Sequence, residues 1–297
     1  MSTPKEPQAE VKIDPRLIQQ LLTIQCPQFS DLAITFLDAG WDNENYRLGE
    51  DYIIRMPRRQ LGVKLLRNEI NWLPRIQKQL PIPIPAPIFV GKAAPIYPWP
   101  WTIVPWVAGK TANLNLPNAA AAIKLAQFLK VLHQKNPVNA PKNDHRGISL
   151  KYKLDNILDR MGRLKTKTDF ITPTIEKLLD RAISTPFPTE KYLLHGDLHP
   201  RNIIVQEGKN VSIIDWGDIT DGDIATDLAI FWMLFPNPTV RQQGLAEYGV
   251  SEDLINRAIG WAIFYGVILL DTGLEGNVQH AEIGKHTLCT LEKEGLK

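Results

Sequence analysis

The chain has 297 residues and is 44% hydrophobic, which is enough to bury a core larger than that of one small domain. Its 34 basic and 32 acidic residues give a formal charge of +2, so the composition offers no basic stripe for nucleic acid. Two widely separated cysteines, Cys26 and Cys289, argue against a disulfide scaffold. A polar N-terminal segment and the lack of a long unbroken apolar run predict a cytoplasmic protein with no membrane partner.

The N-terminal third predicts a small sheet with helices. Residues 1–12 are polar and predict a disordered tail. Asp14 and Pro15 then provide an N-cap and a first helical residue for a helix through Ile24. Three short runs that follow predict strands, over residues 33–37, 45–48 and 52–56.

A second helix is predicted over residues 61–80, where apolar positions recur at helical spacing. Pro74 should kink or divide this helix, because proline removes a backbone hydrogen bond. The alternating prolines of residues 81–87 predict an extended connector. Two further strand candidates follow it, over residues 88–90 and 99–109.

The composition changes at a segment rich in proline and glycine, residues 104–109, which predicts a hinge between two lobes. The predicted N-terminal lobe is 13–106 and the predicted C-terminal lobe is 107–297. Helical periodicity predominates in the second lobe, over residues 118–134, 150–164, 174–183, 224–235, 239–248, 253–270 and 277–294.

The segment that carries chemistry is residues 195–218. Apolar runs over 203–205 and 211–214, with a turn between them, predict a β-hairpin. The hairpin would bring Asn202, just before the first strand, to the same end as Asp215, just after the second. Oxygen donors gathered in this way are what Mg²⁺ and a phosphate-bearing substrate require.

Asp197 precedes Asn202 by five residues, which is the interval of the kinase catalytic loop. The triplet that starts at Asp215, Asp-Trp-Gly, stands where the metal-binding Asp-Phe-Gly triplet would stand. The pattern predicts that Asp197 accepts or orients the acceptor hydroxyl. Asn202 and Asp215 are predicted to hold Mg²⁺ against the nucleotide phosphates.

These motifs resemble those of the aminoglycoside phosphotransferase family, small-molecule kinases that share the protein-kinase-like fold. The resemblance covers nearly the whole chain, and its further pieces are Gly40-Trp41-Asp42-Asn43, Tyr52-Ile53-Ile54-Arg55-Met56-Pro57, Glu69-Ile70-Asn71-Trp72-Leu73-Pro74 and Gly222-Asp223-Ile224-Ala225-Thr226-Asp227-Leu228-Ala229. It implies an α+β bilobal fold with a small antiparallel-sheet N-lobe and a larger, mostly helical C-lobe. It also implies ATP, with GTP not excluded, as the phosphoryl donor.

The resemblance implies that Arg55 and Glu69 form the kinase ion pair, whose cation reaches the α- and β-phosphates. Arg55 stands where the family has lysine, and its planar guanidinium donates hydrogen bonds in a different geometry from the ammonium group of lysine. The alternative is an exposed arginine that pairs across the sheet. Further nucleotide contacts are expected from the loop and the hinge, at Asp42, Asn43, Val104, Trp106 and Val107. Core packing is an equal alternative for Trp106.

His195, Asp197 and His199 form an H-x-D-x-H pattern, whose side chains could also hold Zn²⁺ or iron. No other histidine-rich segment completes the ligand set, so we favour a structural role for His195 and a position near the phosphate for His199. Asp227 begins an apolar helix. It is expected to support the catalytic loop, or only to favour the helix N-terminus through the macrodipole.

The acceptor is expected to be a small molecule, because only nine residues separate Gly217 from Asp227. That is too few for the activation segment of a protein kinase. Five carboxylates could bind an amine-bearing acceptor, namely Asp218, Asp221, Asp223, Asp271 and Glu275. For the acids of the loop, the alternative is a solvated turn.

The expected function is Mg²⁺-dependent transfer of the nucleotide γ-phosphate to a hydroxyl of a small molecule. The acceptor would be an aminoglycoside-like antibiotic or an amine- or hydroxyl-bearing metabolite, and the enzyme a monomer or homodimer. One alternative is a kinase-like protein that binds a nucleotide or metabolite without turnover. The other is a metal-dependent hydrolase that uses the H-x-D-x-H pattern.

Overall fold

The structure, a computed structural model, describes residues 8–135 and 137–295, apart from the side chains of residues 210 and 211. Most of the predicted tail, residues 1–7, lies outside the described residues. The chain divides into two units. The first extends to Gln79 and includes Pro83–Ala108, whereas the second contains Leu80–Ile82 and the residues from Gly109 onward.

The first unit begins with helix α1 (Pro15–Gln25), as the sequence predicts. The Asp14 side chain accepts a hydrogen bond from the backbone N–H of Leu17 at 2.9 Å, and Pro15 occupies the first turn, where its missing N–H costs nothing. The apolar face of α1 is buried through Ile18, Leu21 and Leu22. This face joins the core under the sheet.

The sheet of this unit is antiparallel, with strand order β1-β2-β3-β5-β4. Its strands are β1 (Ile34–Ala39), β2 (Asn43–Leu48), β3 (Tyr52–Pro57), β4 (Phe89–Gly91) and β5 (Trp101–Pro105). The predicted strands are therefore confirmed, with ends that differ by a few residues. Alternating residues of β3 and β5 face the core, where Ile54, Trp101 and Ile103 are fully buried.

Helix α2 (Gln60–Ile76) is continuous, and Pro74 lies inside its last turn. The predicted division at this proline and the predicted end at Leu80 are therefore wrong. A proline so close to the helix end removes one backbone hydrogen bond while the preceding turns stay intact. The amphipathic face of α2 buries Val63, Leu66 and Leu73.

The second unit is mostly helical. Its helices are α3 (Ala120–Leu132), α4 (Leu154–Lys165), α5 (Pro173–Ser184), α6 (Ala225–Leu228), α7 (Ile230–Leu234), α8 (Pro238–Tyr248), α9 (Glu252–Gly273) and α10 (Val278–Gly295). The helix predicted over 224–235 is observed as two short helices, α6 and α7. The one predicted over 150–164 begins as a 3₁₀ turn at Leu150–Lys153.

Five short strands accompany these helices, namely β6 (Lys110–Thr111), β7 (Tyr192–Leu194), β8 (Ile203–Gln206), β9 (Lys209–Ile213) and β10 (Thr220–Gly222). The predicted hairpin is confirmed as β8 and β9, and β6 adds to its edge. Strands β7 and β10 pair with each other. The sequence did not predict β6, β7 or β10, because two or three residues are too few to show an alternating pattern.

Helix α9 is the central helix of the second unit by burial. Among the described helices, α9 is long and apolar enough to cross a membrane, with a mean hydropathy of 1.4 over its most apolar 18 residues. However, 78% of that window is buried inside the protein. A core helix passes the same test, so this feature is weak evidence for a membrane span. Helix α10 packs closely against α9, since a Cβ atom on Gly284 would overlap the backbone nitrogen of Leu270.

Gly284→Ala should lower the free energy of unfolding by about 1–3 kcal/mol, because the new methyl group has to push two packed helices apart. A matched control is Gly162→Ala in α4, where a Cβ would meet open space among the described residues. That control should raise stability by about 0.5–1 kcal/mol, since alanine is the better helix former. Denaturant unfolding measures both, and equal effects would contradict the close α9–α10 contact.

Candidate functional site

The β8–β9 hairpin brings two of the predicted metal ligands to the same end. Asn202 directly precedes β8, and its backbone C=O accepts a hydrogen bond from the N–H of Ile214 at 2.9 Å. Asp215 is the next residue along the chain. Its backbone φ of 62° lies in the left-handed region, where aspartate is one of the few side chains found regularly.

Asp227 holds in place residues 195–202, the predicted catalytic loop, which is called the catalytic loop below. Its two carboxylate oxygens accept hydrogen bonds from the backbone N–H groups of His195 and Gly196, at 2.7 and 2.9 Å. The side chain is completely buried. His133 lies 3.2 Å from the same carboxylate through Nε2, and its Nδ1 lies 2.7 Å from the hydroxyl of Tyr248. A buried carboxylate with this many donors is fully satisfied and fixes the backbone that it binds.

Gly196 has to be glycine. Its φ of +86° is in the left-handed region, and a Cβ atom there would overlap the backbone oxygen of Asp218. The Tyr265 hydroxyl, from α9, donates to the Gly196 carbonyl at 3.1 Å. The catalytic loop is therefore packed tightly between α9 and the chain that follows Asp215.

His195 connects the catalytic loop to the end of β9. Its Nε2 donates to the carbonyl of Ile214 at 3.0 Å, and its Nδ1 accepts from the N–H of Asp197 at 3.3 Å. The ring lies against Trp216, with 4.6 Å between centroids. Both ring nitrogens are thus engaged with backbone, which matches the structural role favoured from the sequence rather than a metal ligand. No group of three or more His, Cys, Asp or Glu side chains forms a metal site among the described residues.

Asp197 forms an ion pair that the sequence did not predict. Arg146 lies in the loop between α3 and α4, and its Nη2 atom is 2.6 Å from Oδ1 of Asp197. His199 Nε2 lies 3.6 Å from the other oxygen. Burial raises the pKa of Asp197, but the positive charge of Arg146 and its hydrogen bond to the carboxylate lower it, and the pKa stays below its ordinary value. The carboxylate is therefore ionised at neutral pH.

His199 is a neutral imidazole at neutral pH, because burial lowers its pKa more than the neighbouring carboxylates raise it. Its Nδ1 accepts from the backbone N–H of Arg201 at 3.2 Å, which leaves the proton on Nε2, towards Asp197. The Arg201 guanidinium in turn lies 2.7 Å from the ring of His280 in α10. Burial and this positive charge lower the pKa of His280 to about 4.

Asn202 and Asp215 fit a magnesium ion by their chemistry. The Asn202 amide nitrogen donates to the backbone carbonyl of Asp197 at 2.9 Å, so Oδ1 is the atom that would bind a cation. Asp215 adds a carboxylate. One carboxylate and one amide oxygen suit Mg²⁺, which takes oxygen ligands and usually keeps several waters.

Four of the five acids suggested as acceptor contacts have side-chain partners within the protein. Asp218 accepts a hydrogen bond from Asn143 at 2.7 Å, and Asp221 forms an ion pair with Lys142 at 2.5 Å. Asp223 forms an ion pair with Arg257 at 2.7 Å. Asp271 forms ion pairs with Arg160 and Arg163, at 2.7 and 2.6 Å. Asp223 and Asp271 are also buried, whereas Glu275 is exposed. Burial and the charge of Asp197 raise the pKa of Asp218. These surroundings favour structural roles for Asp223 and Asp271.

In the first unit, the expected ion pair between Arg55 and Glu69 is present at 2.9 Å, and both side chains are largely buried. Arg55 thus pairs with a carboxylate of helix α2. Asp42 of the predicted nucleotide loop pairs with Arg59 at 2.7 Å. That these residues contact a nucleotide stays a prediction, as it does for Asn43.

The segment predicted as a hinge has its own contacts. Val104 is paired with Ile53 in the β3–β5 register. The backbone N–H of Trp106 donates to Asp51 at 2.7 Å, and the Trp106 ring lies 3.8 Å from the guanidinium carbon of Arg47. Trp106 is only half-buried, so its ring is not plain core. Nucleotide contacts from Val104, Trp106 and Val107 stay predictions.

Comparison with known proteins assigns the family. Residues 33–261, more than half of the chain, match the model of the APH phosphotransferase enzyme family, and the chain belongs to this family. An aminoglycoside 3'-phosphotransferase of Escherichia coli is 28% identical over 176 residues, and one of Salmonella typhimurium is 27% identical over 168. Each match covers 53% of this chain and 61% of the relative. The chain thus spans less than two thirds of these relatives.

Solved structures show the fold. Aminoglycoside 2'-phosphotransferase-IIIa, in its GDP complex, superposes with a TM-score of 0.67 over 95% of this chain and 99% of its own, at 20% identity. Macrolide 2'-phosphotransferase MphH from Brachybacterium faecium gives a TM-score of 0.58 over 92% of this chain and 98% of its own, also at 20% identity. The predicted α+β protein-kinase-like fold is therefore confirmed.

Asp227→Asn should lower the free energy of unfolding by about 1.5–3 kcal/mol, because one carboxamide oxygen cannot replace a charged acceptor of several buried hydrogen bonds. The control is Asp159→Asn, which removes an exposed carboxylate of an i,i+4 pair with Arg163 and should change stability by no more than about 0.5 kcal/mol. Thermal or denaturant unfolding compares the two. Equal losses would show that Asp227 does not anchor the loop.

Proposed function

We propose that this protein is a small-molecule kinase that transfers the γ-phosphoryl group of a nucleotide to a hydroxyl of its acceptor. The observation that carries the proposal is the ionised Asp197 on a loop anchored beside the hairpin end that bears Asn202 and Asp215. Phosphoryl transfer asks little covalent work of a protein and depends on positioning and charge stabilisation. A fixed carboxylate next to an oxygen-donor pair meets those needs.

Asp197 would accept a hydrogen bond from the acceptor hydroxyl and orient its oxygen for attack. It would take up the hydroxyl proton as the oxygen–phosphorus bond forms and the bond from the γ-phosphorus to the departing nucleoside diphosphate breaks. Asn202 and Asp215 would hold Mg²⁺, which neutralises phosphate charge when it is bound. Asp227 and His195 would keep Asp197 in position through the loop backbone. Arg55, held by Glu69, would supply positive charge to the nucleotide phosphates.

The relatives support a nucleotide donor and a hydroxyl acceptor. Solved structures of the same fold include complexes with GDP, ATP and ADP, and their names identify aminoglycoside and macrolide phosphotransferases. The direct test is a phosphotransfer screen of hydroxyl compounds with ATP and with GTP, read as a mass gain of one phosphoryl group. Failure of every compound with both nucleotides and Mg²⁺ would overturn the proposal.

Asp197→Asn should lower the phosphotransfer rate by about 10²–10⁴-fold, since the amide cannot take up the hydroxyl proton. Nucleotide affinity should stay within about twofold of the wild type, because Asp197 is not a phosphate or metal ligand in the proposed site. Turnover by mass spectrometry and nucleotide titration by calorimetry separate the two effects. Full turnover in the variant would remove Asp197 from the reaction.

Asp215→Asn should abolish the part of nucleotide affinity that depends on Mg²⁺, because an amide is a poor substitute for a carboxylate on a divalent cation. Nucleotide binding is measured with Mg²⁺ and with EDTA. The wild type should bind more tightly with Mg²⁺, while the variant should bind equally in both. Unchanged Mg²⁺ dependence would contradict the assignment of Asp215 as a ligand.

A further inference from the structure

Arg146 is placed to contact the acceptor as well as Asp197. Its guanidinium Nη2 lies 2.6 Å from Asp197 Oδ1, and about a fifth of each side chain is exposed to solvent. The guanidinium carbon lies 5.6 Å from the centre of the Tyr265 ring. A molecule that offers a hydroxyl to Asp197 therefore has to approach a guanidinium at the same time.

The loop around Arg146 is built to hold this position. Asn143 Oδ1 accepts from the backbone N–H groups of His145 and Arg146, at 2.8 and 3.2 Å. Gly147 follows with a φ of +66°, and its carbonyl accepts from the N–H of Asp223 at 2.9 Å. The loop is thus fixed on both sides of Arg146, unlike a surface arginine whose position is set by its own rotamers.

Arg146 retains hydrogen-bonding capacity beyond the ion pair. A guanidinium carries five N–H donors in a planar fork. The Nε donor is buried and has no hydrogen-bond partner among the described residues. A buried donor without a partner lowers stability, and an acceptor oxygen that bound there would remove this penalty. The fork geometry suits a carboxylate, a carbonyl or a pair of hydroxyls.

The charges around Arg146 do not favour an ammonium group. Lys153 contributes a second basic side chain, 3.0 Å from the ring of His145, and burial together with the Arg146 charge lowers the pKa of Lys153. Of the acids on this side, Asp197 is paired with Arg146 itself, and Asp221 and Asp223 are paired with Lys142 and Arg257. The negative charge of these three acids is balanced within the protein. The fourth acid, Asp218, accepts from the neutral amide of Asn143 at 2.7 Å, and burial together with the charge of Asp197 raises its pKa.

We propose that Arg146 is an acceptor-binding residue that selects compounds whose reacting hydroxyl has an oxygen function next to it, neutral or anionic, and disfavours an adjacent ammonium group. The proposal rests on the kinase function proposed above and narrows its acceptor class. Repulsion between the Arg146 guanidinium and an ammonium group of the acceptor would make ammonium-bearing compounds bind more weakly, as in other sites that reject a wrong partner by repulsion. An oxygen neighbour would instead accept from the free edge of the guanidinium.

The test compares three acceptors with the same hydroxyl-rich ring and different charge, namely glucose, glucuronate and glucosamine, together with each compound that the screen returns. Phosphotransfer is followed by mass spectrometry, and kcat and KM are measured separately. We expect the wild type to prefer glucuronate and glucose over glucosamine. We also expect the compounds returned by the screen to carry oxygen, not nitrogen, beside the phosphorylated hydroxyl.

Arg146→Gln should raise the acceptor KM and lower kcat/KM by about 10- to 100-fold, as expected for a lost hydrogen bond from a charged group. It should also remove the preference against glucosamine. Arg146→Lys keeps the charge without the fork, so it should keep that preference and recover only part of the affinity. The control Lys151→Gln removes an exposed charge from the same segment between α3 and α4 and should leave the acceptor KM unchanged.

Three results would overturn the acceptor assignment. The first is that the wild type transfers phosphate to ammonium-bearing acceptors as well as, or better than, to glucose and glucuronate. The second is that Arg146→Gln keeps the same order of preference among acceptors. The third is faster turnover in Arg146→Gln, which would make the ion pair an inhibitory contact. All three retain phosphotransfer and so leave the kinase function standing. Lack of transfer to any compound, with no nucleotide turnover, would instead remove the kinase function itself.

Discussion

The buried carboxylate of Asp227 is the contact on which the candidate site depends. A carboxylate buried without partners is very unfavourable, so the chain around it must supply donors, and it does so from the catalytic-loop backbone and from His133. Those hydrogen bonds fix where the loop begins. Because Asp197 follows within two residues, its position is set by a contact that takes no part in the chemistry.

From that anchor, the loop and the hairpin form one connected structure. His195 spans from the loop to the carbonyl that precedes Asp215, and Asn202 binds the backbone of Asp197. The candidate base and both candidate metal ligands are therefore linked by hydrogen bonds from two side chains to backbone carbonyls, whose positions are set by the fold. Catalysis by positioning needs this rigidity, since small displacements of a reacting group are costly.

The sequence predicted most of this arrangement, because the motifs are local. The Asp-to-Asn interval and the two apolar runs of the hairpin are fixed by neighbours along the chain, and the main helices follow from a 3.6-residue period. The errors are also local. Pro74 was expected to kink or divide α2, but a proline in the last turn leaves the helix undivided. The short strands β6, β7 and β10 of the second unit gave no pattern to detect.

The partners of the charged side chains could not be predicted, because they join distant parts of the chain. Arg146 and Asp197 are 51 residues apart, and Arg160 and Asp271 are 111 apart. The sequence by itself determined the family motifs, the kinase-like elements and the acids that could act. Only the packing of loops and helices decided which of those acids is neutralised internally and that an arginine stands beside Asp197. Charge pairing depends on distance in space, and spacing along the chain does not determine that distance.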